Sequence, residues 1–290
     1  MRYASAQDLR QAIDARLVNE ARETGAPVDR LRRRMAFERL LSRLAAADPG
    51  RWVLKGGMAL EMRWLERART TKDLDLATRH EVSDPRAVHE LLVAALSQDP
   101  DGDQFRFEVG QPAPISADMA GRPGWRVSVR AILAGRRFAE VKLDIVARSE
   151  ELVATEPVGL PGTLSFAQIA VREIETADLA QHFAEKIHAM TRVYGGERPS
   201  SRVRDLVDLV LVLELAAPDQ ADVRRTTERV FAERATHPLP SQIEDPPASW
   251  APAYEALAAQ LDLNASSLDA GLELVRNYWR STTTEAVGNQ

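Results

Sequence analysis

The apolar residues of this 290-residue chain change their period twice, from helical spacing to strict alternation and back. That switch confines it to a mixed fold: a helical start, a sheet, and a helical C-terminal part. Leu9, Ile13 and Leu17 recur at helical spacing, Gly25 and Pro27 interrupt, and Leu31, Met35, Phe37, Leu40, Leu41 and Leu44 resume the stripe, so residues 5–48 read as helix. "RWVLKGG" reads as a short strand, "MALEMRWLE" as the helix after it, "DLDLAT" as a second strand and "PRAVHELLVAALS" as a helix. Period two then runs through "QFRFEVG", "WRVSVRAIL" and "RFAEVKLDIVA", with turns expected around Pro112, Pro114, Gly121, Pro123 and Gly135. From Ser165 onward helical spacing returns, through "LAQHFAEKIHAM", "VRDLVDLVLVLEL", "DVRRTTERVFAER", "AYEALAAQL" and "LDAGLELVRNYW". The Pro and Gly cluster "EPVGLPGTLS" marks the division, which gives a helical N-terminal region over 1–48, a sheet core over 49–160 and a helical C-terminal subdomain over 161–290.

On a strand, Asp73 and Asp75 point to one side and Leu74 and Leu76 to the other, so "DLDL" offers one face to a core and two carboxylates to a site. Carboxylates that close repel unless a cation stands between them, and a hard divalent ion such as Mg²⁺ suits oxygen ligands. In "AEVKLDIVA" the same alternation sets Lys142 and Asp144 apart from Val141, Leu143 and Ile145. If that strand neighbours "DLDL", Asp144 becomes a third metal ligand, and three carboxylates around Mg²⁺ suit an in-line phosphoryl or nucleotidyl displacement. Just upstream, Gly56 and Gly57 join a strand to a helix, where backbone can approach a phosphate closely and the helix N-terminus supplies N–H donors. Lys55 precedes them, and the Walker pattern G-x-x-x-x-G-K-[ST] is missing.

Two further candidates lie in the C-terminal half. Lys186 sits beside the stripe of Leu179, Phe183, Ile187 and Met190 and faces inward with His182, so it needs an anion, either a triphosphate or an internal carboxylate. "SSRVRDLVDLVLVLEL" is apolar nearly all round, so Asp205 and Asp208 must be paired. Asp205 is favoured as functional, in the first turn after a cap at Ser200 or Ser201, and Asp208 is its rival. The five histidines form no metal-ligand set, and Trp52, Trp64 and Trp125 read as core.

Absence of cysteine excludes disulfides, thiolate nucleophiles and Cys-based metal sites. The charged N-terminus and the lack of any long apolar run point to a cytoplasmic protein without a membrane partner. A net charge of −5 argues against coating nucleic acid by global charge. Two local basic patches remain: Arg30, Arg32, Arg33, Arg34, Arg39 and Arg43 in one helix, and Arg63, Arg67, Arg69, Lys72 and Arg79 around the aspartate motif. They are either solvated helix faces or the mouth of a nucleic-acid site; Arg198, Arg202 and Arg204 offer an alternative mouth.

"LKGGMAL", "RTTKDLDL", "VKLDI", "EKIHAM" and "RDLVDL", in that order, resemble the nucleotidyltransferase toxins of the AbiEii/AbiGii family, type IV toxin–antitoxin members of the polymerase-β-like superfamily that include the MenT-like toxins of mycobacteria. The resemblance implies a polymerase-β-like α/β (α+β) sheet, here the core over 49–160, followed by a helical C-terminal subdomain. It implies an Mg²⁺-dependent enzyme that transfers NMP from an NTP co-substrate to RNA, with the 3′ end of tRNA as acceptor, in a toxin–antitoxin or phage-defence system with a cognate antitoxin. By the same resemblance Gly56 and Gly57, with Lys55 and Thr71, hold phosphates, Asp73 and Asp75 bind metal, and Lys186 and Asp205 or Asp208 complete the catalytic set. Met58 stands where a hydroxyl residue usually follows the glycines, and Lys72 separates Thr71 from the aspartates. Transfer to a small molecule or a protein side chain, and a non-catalytic nucleotide- or antitoxin-binding module, are the alternatives.

Overall fold

A computed structural model describes residues 3–80, 82, 84–115, 123–147, 154–192 and 202–284. The expectations on Gly121, Arg198, Ser200 and Ser201 lie outside the described residues. The chain divides into two compact units, one of residues 1–63, 71–150 and 155–176, the other of 64–70, 151–154 and 177–290.

The first unit opens with two helices, α1 (Ala6–Thr24) and α2 (Val28–Ala47). Ser5 caps α1 by accepting the Asp8 N–H, and Gly25, at φ 73°, ends it in the left-handed conformation that glycine adopts without strain. There follow β1 (Trp52–Lys55), α3 (Gly56–Trp64), β2 (Asp73–Thr78), α4 (Pro85–Leu96), β3 (Arg106–Val109), β4 (Ala113–Ile115), β5 (Gly124–Leu133), β6 (Arg136–Ala147), β7 (Thr155–Gly159) and β8 (Glu173–Ala177). Among the described residues these strands make one sheet in the order β3-β5-β6-β2-β1-β8-β7, with β4 also paired to β5. β1 runs antiparallel to β2 and parallel to β8, β2 runs parallel to β6, and β5 and β6 form a long antiparallel pair. One face is packed: Leu54, Leu74, Leu76, Val127, Val129, Leu143 and Ile145 are fully buried, in one cluster with Leu9 and Ile13 of α1, Leu40 and Leu44 of α2 and Leu92 of α4.

Three strands were not foreseen. β4 contains Pro114, read as a turn; among the described residues it pairs with β5 alone, where a missing N–H is tolerated. β7 contains Pro157 and forms the sheet edge, so "EPVGLPGTLS" begins as strand rather than turn. β8, "EIETA", alternates exposed and buried positions over only five residues, too short a run to break the helical reading begun at Ser165; helix starts at Leu179 instead.

The arginines of α2 are turned inward. Arg39 and Arg43, one helical turn apart and each about 2% exposed, reach the loop after α4: Arg39 donates to Asp103 at 2.9 Å and Asp101 at 2.6 Å, and Arg43 to Asp103 at 2.6 Å and the Phe105 carbonyl at 2.6 Å. Arg172 closes the network on Asp101 at 2.6 Å. Arg32 pairs with Asp14, Arg34 with Glu20 and Arg30 with Glu61, so five of the six arginines of this patch, all but Arg33, hold α2 to its neighbours. In the second patch Arg63 pairs with Glu156, Arg69 with Asp208 and Arg79 with Glu175, while Lys72 is exposed.

The second unit is helical: α5 (Leu179–Thr191), α6 (Val203–Ala216), α7 (Gln220–Arg234), α8 (Ala251–Gln260) and α9 (Leu268–Thr284). Asp178 caps α5 and Asp219 caps α7, each accepting the backbone N–H three residues on, whereas α6 starts at Arg202 without a side-chain cap. α6 is buried from Asp205 through Val212, as its all-round apolar sequence requires, and packs against α5, α8 and α9. The Pro-rich connection before α8 is fastened by Trp279, whose indole donates to the Pro240 carbonyl at 3.2 Å, and by Arg276, which donates to the Ile243 carbonyl at 2.8 Å.

Candidate functional site

The pairing of four strands assembles the carboxylates. Lys55 on β1 stands abreast of Asp75 on β2; Asp73 and Asp75 stand abreast of Lys142 and Asp144 on β6; Asp144 and Lys142 stand abreast of Arg126 and Ser128 on β5. Paired positions share a face of a pleated sheet, so all of these lie opposite the packed face. β6 thus neighbours β2, which is the condition on which Asp144 joins Asp73 and Asp75. The three aspartates are partly buried and Lys55 is 4% exposed.

Gly56 is the start of α3 and takes φ +65°, where an L side chain is strained. It has a second reason to be glycine: a Cβ there would lie 2.0 Å from Asp75 Oδ2. The Asp75 carboxylate is therefore packed over the first residue of the helix, at the end where the dipole favours negative charge. Glu61, 2% exposed on α3, accepts the Thr71 N–H at 3.0 Å and so ties the helix to the segment entering β2. The Thr71 hydroxyl is buried with no hydrogen-bond partner among the described residues, and Lys72 is exposed.

Arg126, not anticipated from the sequence, grips Asp144 in a two-pronged ion pair, Nε at 2.7 Å and a terminal nitrogen at 2.5 Å. Its pKa is driven further up by the hydrogen bond and charge of Asp144, with smaller contributions from Asp73 and Asp75. A signal was present in "WRVSVRAIL", where alternation sets Arg126, Ser128 and Arg130 on the polar side, but the partner strand and register are not readable from one strand.

The residues present bear on the metal that the sequence motif implies. Among the described residues no group of three or more His, Asp or Glu side chains is arranged to hold an ion. The donor chemistry nevertheless fits a hard divalent cation: three carboxylates on one face, one seated at a helix N-terminus, with the third turned to a guanidinium that supplies positive charge in its place.

In the second unit Lys186 Nζ lies 2.8 Å from Asp205 Oδ1 and 2.8 Å from Asp208 Oδ2. Arg69 grips Asp208 with Nε at 2.8 Å and a terminal nitrogen at 2.9 Å, and Arg202 approaches Asp205 at 3.4 Å. Burial by itself would lower the Lys186 pKa, but Asp208 and Asp205 outweigh it and raise it; burial would raise that of Asp208, but Lys186 and Arg69 outweigh it and lower it. Asp208, 1% exposed and held by two cations, is the fixed counter-ion, while Asp205 is 7% exposed and more loosely held. Elsewhere in the second unit Thr236 Oγ1 links His188 Nε2 at 2.9 Å to His237 Nδ1 at 2.8 Å. The first unit holds Lys55, Gly56, Gly57, Thr71, Asp73, Asp75 and Asp144, and the second holds Lys186, Asp205 and Asp208.

A mixed sheet with a glycine turn and carboxylates on its open face, joined in sequence to a helical region, is an arrangement suited to moving phosphoryl groups. Residues 39–279 match the family described as "Nucleotidyl transferase AbiEii toxin, Type IV TA system", and the chain belongs to that family. It is a nucleotidyltransferase, and membership brings an NTP substrate and an antitoxin partner. Among solved structures it is similar to one from H. pylori assigned as a nucleotidyltransferase, at 15% identity and TM-score 0.45, covering 87% of this chain and 94% of that one. It is also similar to an antigenic nucleotidyltransferase-like protein from Paracoccidioides brasiliensis, at 13% identity and TM-score 0.39, covering 79% and 92%. No curated protein matches the chain. No described helix is long and apolar enough to cross a membrane.

Proposed function

We propose that this chain is a type IV toxin that transfers NMP from an NTP to RNA, with the 3′ end of tRNA as acceptor, and blocks translation by doing so in the cytoplasm, as MenT-like members would. The observation that carries the reading is the strand register that brings Lys55, Asp75, Asp73 and Asp144 to one face at the glycine turn. Asp73, Asp75 and Asp144 would hold Mg²⁺, which supplies charge stabilisation at the transferring phosphoryl group. Lys55, Gly56 and Gly57 at the N-terminus of α3 bind triphosphate oxygens, and the Thr71 hydroxyl donates to one of them. Lys186 is assigned to the triphosphate and Asp205 to positioning, with Asp208 orienting both through its ion pair with Lys186. The acceptor hydroxyl attacks the α-phosphorus and pyrophosphate leaves. The division into a helical N-terminal region, a transferase core and a helical C-terminal subdomain belongs to the same proposal.

Arg39 and Arg43 of α2 give no support to an RNA acceptor, since their charges are spent inside the fold, and Arg30, Arg32 and Arg34 are already ion-paired. Lys72 and Lys142, exposed and flanking Asp73 in sequence and in register, take their place as phosphate contacts. The test is incubation with total RNA, Mg²⁺ and each of four α-labelled NTPs, with Asp73→Ala and Asp75→Ala as controls. Label on tRNA from the wild type alone supports the reading. Label on a small molecule or on protein would reassign the acceptor, and no label from any NTP would leave a non-catalytic binding module.

A further inference from the structure

We infer that Arg126 is a resident counter-ion that competes with the divalent cation for Asp144, so that the cation binds only as the Arg126–Asp144 pair opens. The inference rests on the reading of Asp73, Asp75 and Asp144 as cation ligands. Three observations carry it. Arg126 is abreast of Asp144 on the neighbouring strand and engages both carboxylate oxygens, leaving few lone pairs for a metal. Its guanidinium also feels Asp73 and Asp75, so it balances the charge of the whole group rather than of one partner. The side chain is 46% exposed, with Ser128 along its own strand face and Ala113 abreast of it on β4, while Ile115 and Val146 fill the space over Gly124 on the other side. Its way off Asp144 is therefore outward to solvent, on the side of the small residues Ser128 and Ala113.

Exposure also keeps the pair weak, since water screens it and the ordering of a long side chain opposes it. A divalent ion held by three carboxylates outcompetes such a pair, whereas it would not displace a buried one. Once released, Arg126 is a free guanidinium at the edge of the site, matched to a phosphate of the incoming triphosphate or acceptor. Cation and anionic substrate then favour each other through this residue: the cation frees Arg126, and the phosphate keeps it from returning to Asp144.

The test is Mn²⁺ titration of the full chain by calorimetry without nucleotide, in the wild type, Arg126→Ala, Arg126→Lys, Asp144→Asn and the Arg126→Ala/Asp144→Asn double variant, each first checked for an intact melting transition. Opening an exposed pair of ordinary strength should make Arg126→Ala bind Mn²⁺ roughly two- to fivefold more tightly. Arg126→Lys, which keeps the charge and loses the fork, should fall between. In the Asp144→Asn background the gain should shrink, because the carboxylate that Arg126 grips is gone and only its weaker pull on Asp73 and Asp75 remains. Unchanged or weaker binding by Arg126→Ala overturns the inference. So does a gain that persists undiminished without Asp144, since that would be charge repulsion alone. Failure of the underlying reading looks different: the wild type would bind no Mn²⁺, or Asp73→Ala and Asp75→Ala would bind it as well as the wild type, and the inference would fall with it.

Discussion

Replacing Gly56 by alanine separates two effects that glycine serves at one position. The backbone there is left-handed, φ +65°, which costs an L-residue about 1–2 kcal/mol. The added Cβ would also meet Asp75 Oδ2 at 2.0 Å, so the carboxylate must retreat by roughly 1.5 Å to reach ordinary contact distance. Gly50 provides the control: its φ is +82°, and nothing lies within 4 Å of an added Cβ. Gly50→Ala should therefore lower stability by about 1–2 kcal/mol in urea denaturation and leave transfer at the wild-type rate. Gly56→Ala should lose at least as much stability, and its transfer rate should fall on the order of 100-fold, the usual result of misplacing a reacting group by about 1 Å. If Gly56→Ala transferred nucleotide at the wild-type rate, the packing of Asp75 on the helix start would have no part in the reaction.

The Asp208 and Lys186 ion pair gives a pH signature. Because the Asp208 pKa is lowered on folding, its contribution is present above the unfolded value of about 3.9 and lost as pH falls through the folded one; because that of Lys186 is raised, its contribution is present below about 10.4 and lost as pH rises through its folded value. Asp208→Asn should thus lower stability at neutral pH and flatten the acid limb of a stability–pH curve measured in urea. Arg39→Met should destabilise by about 1.5–3 kcal/mol, since it takes one charged partner from each of Asp101 and Asp103, which keep Arg172 and Arg43, yet leave the salt dependence of RNA transfer unaltered; a shallower salt slope would return that helix to the RNA surface. His237 is held below the ordinary imidazole value by burial and by Arg192, so its contribution is present above about pH 6.5 and lost as pH falls through the folded value. A proton NMR titration should place its midpoint below about 6.5, and a midpoint above that would contradict the burial seen around it.

The parts of this molecule legible in the sequence are those with a long repeat or a sharp punctuation. α1 and α2 announce themselves by their stripes and by Gly25 and Pro27, and "DLDLAT" fixes by alternation alone which side of β2 is core. Lys186 could be recognised as needing an anion, but whether it takes Asp205, Asp208 or both depends on how α5 packs on α6, which periodicity does not record. The inward turn of Arg39 and Arg43 has the same origin. Their partners are Asp99, Asp101 and Asp103, a run of acids in a loop some sixty residues away whose complementarity becomes visible only once α2 and α4 are packed together. Short strands carry the least signal of all: β4, β7 and β8 have three to five residues each and owe their conformation to the strand beside them.

The position of β1 governs when the protein can become active during its own synthesis. Trp52–Lys55 lies between β2, its near neighbour in sequence, and β8, residues 173–177, so one edge of the strand that ends in the glycine turn is unpaired until β8 has been made. A nascent chain that stops short of β8 exposes the backbone donors and acceptors along one edge of a strand that is fully buried in the finished fold, the kind of edge that recruits other chains. Closing it needs contacts across more than a hundred residues, which makes completion of the sheet a late event in folding. The ribosome therefore releases about three-fifths of the chain before the carboxylate face has its finished support, an interval in which a partner binding the incomplete sheet would meet the toxin before it can transfer a nucleotide.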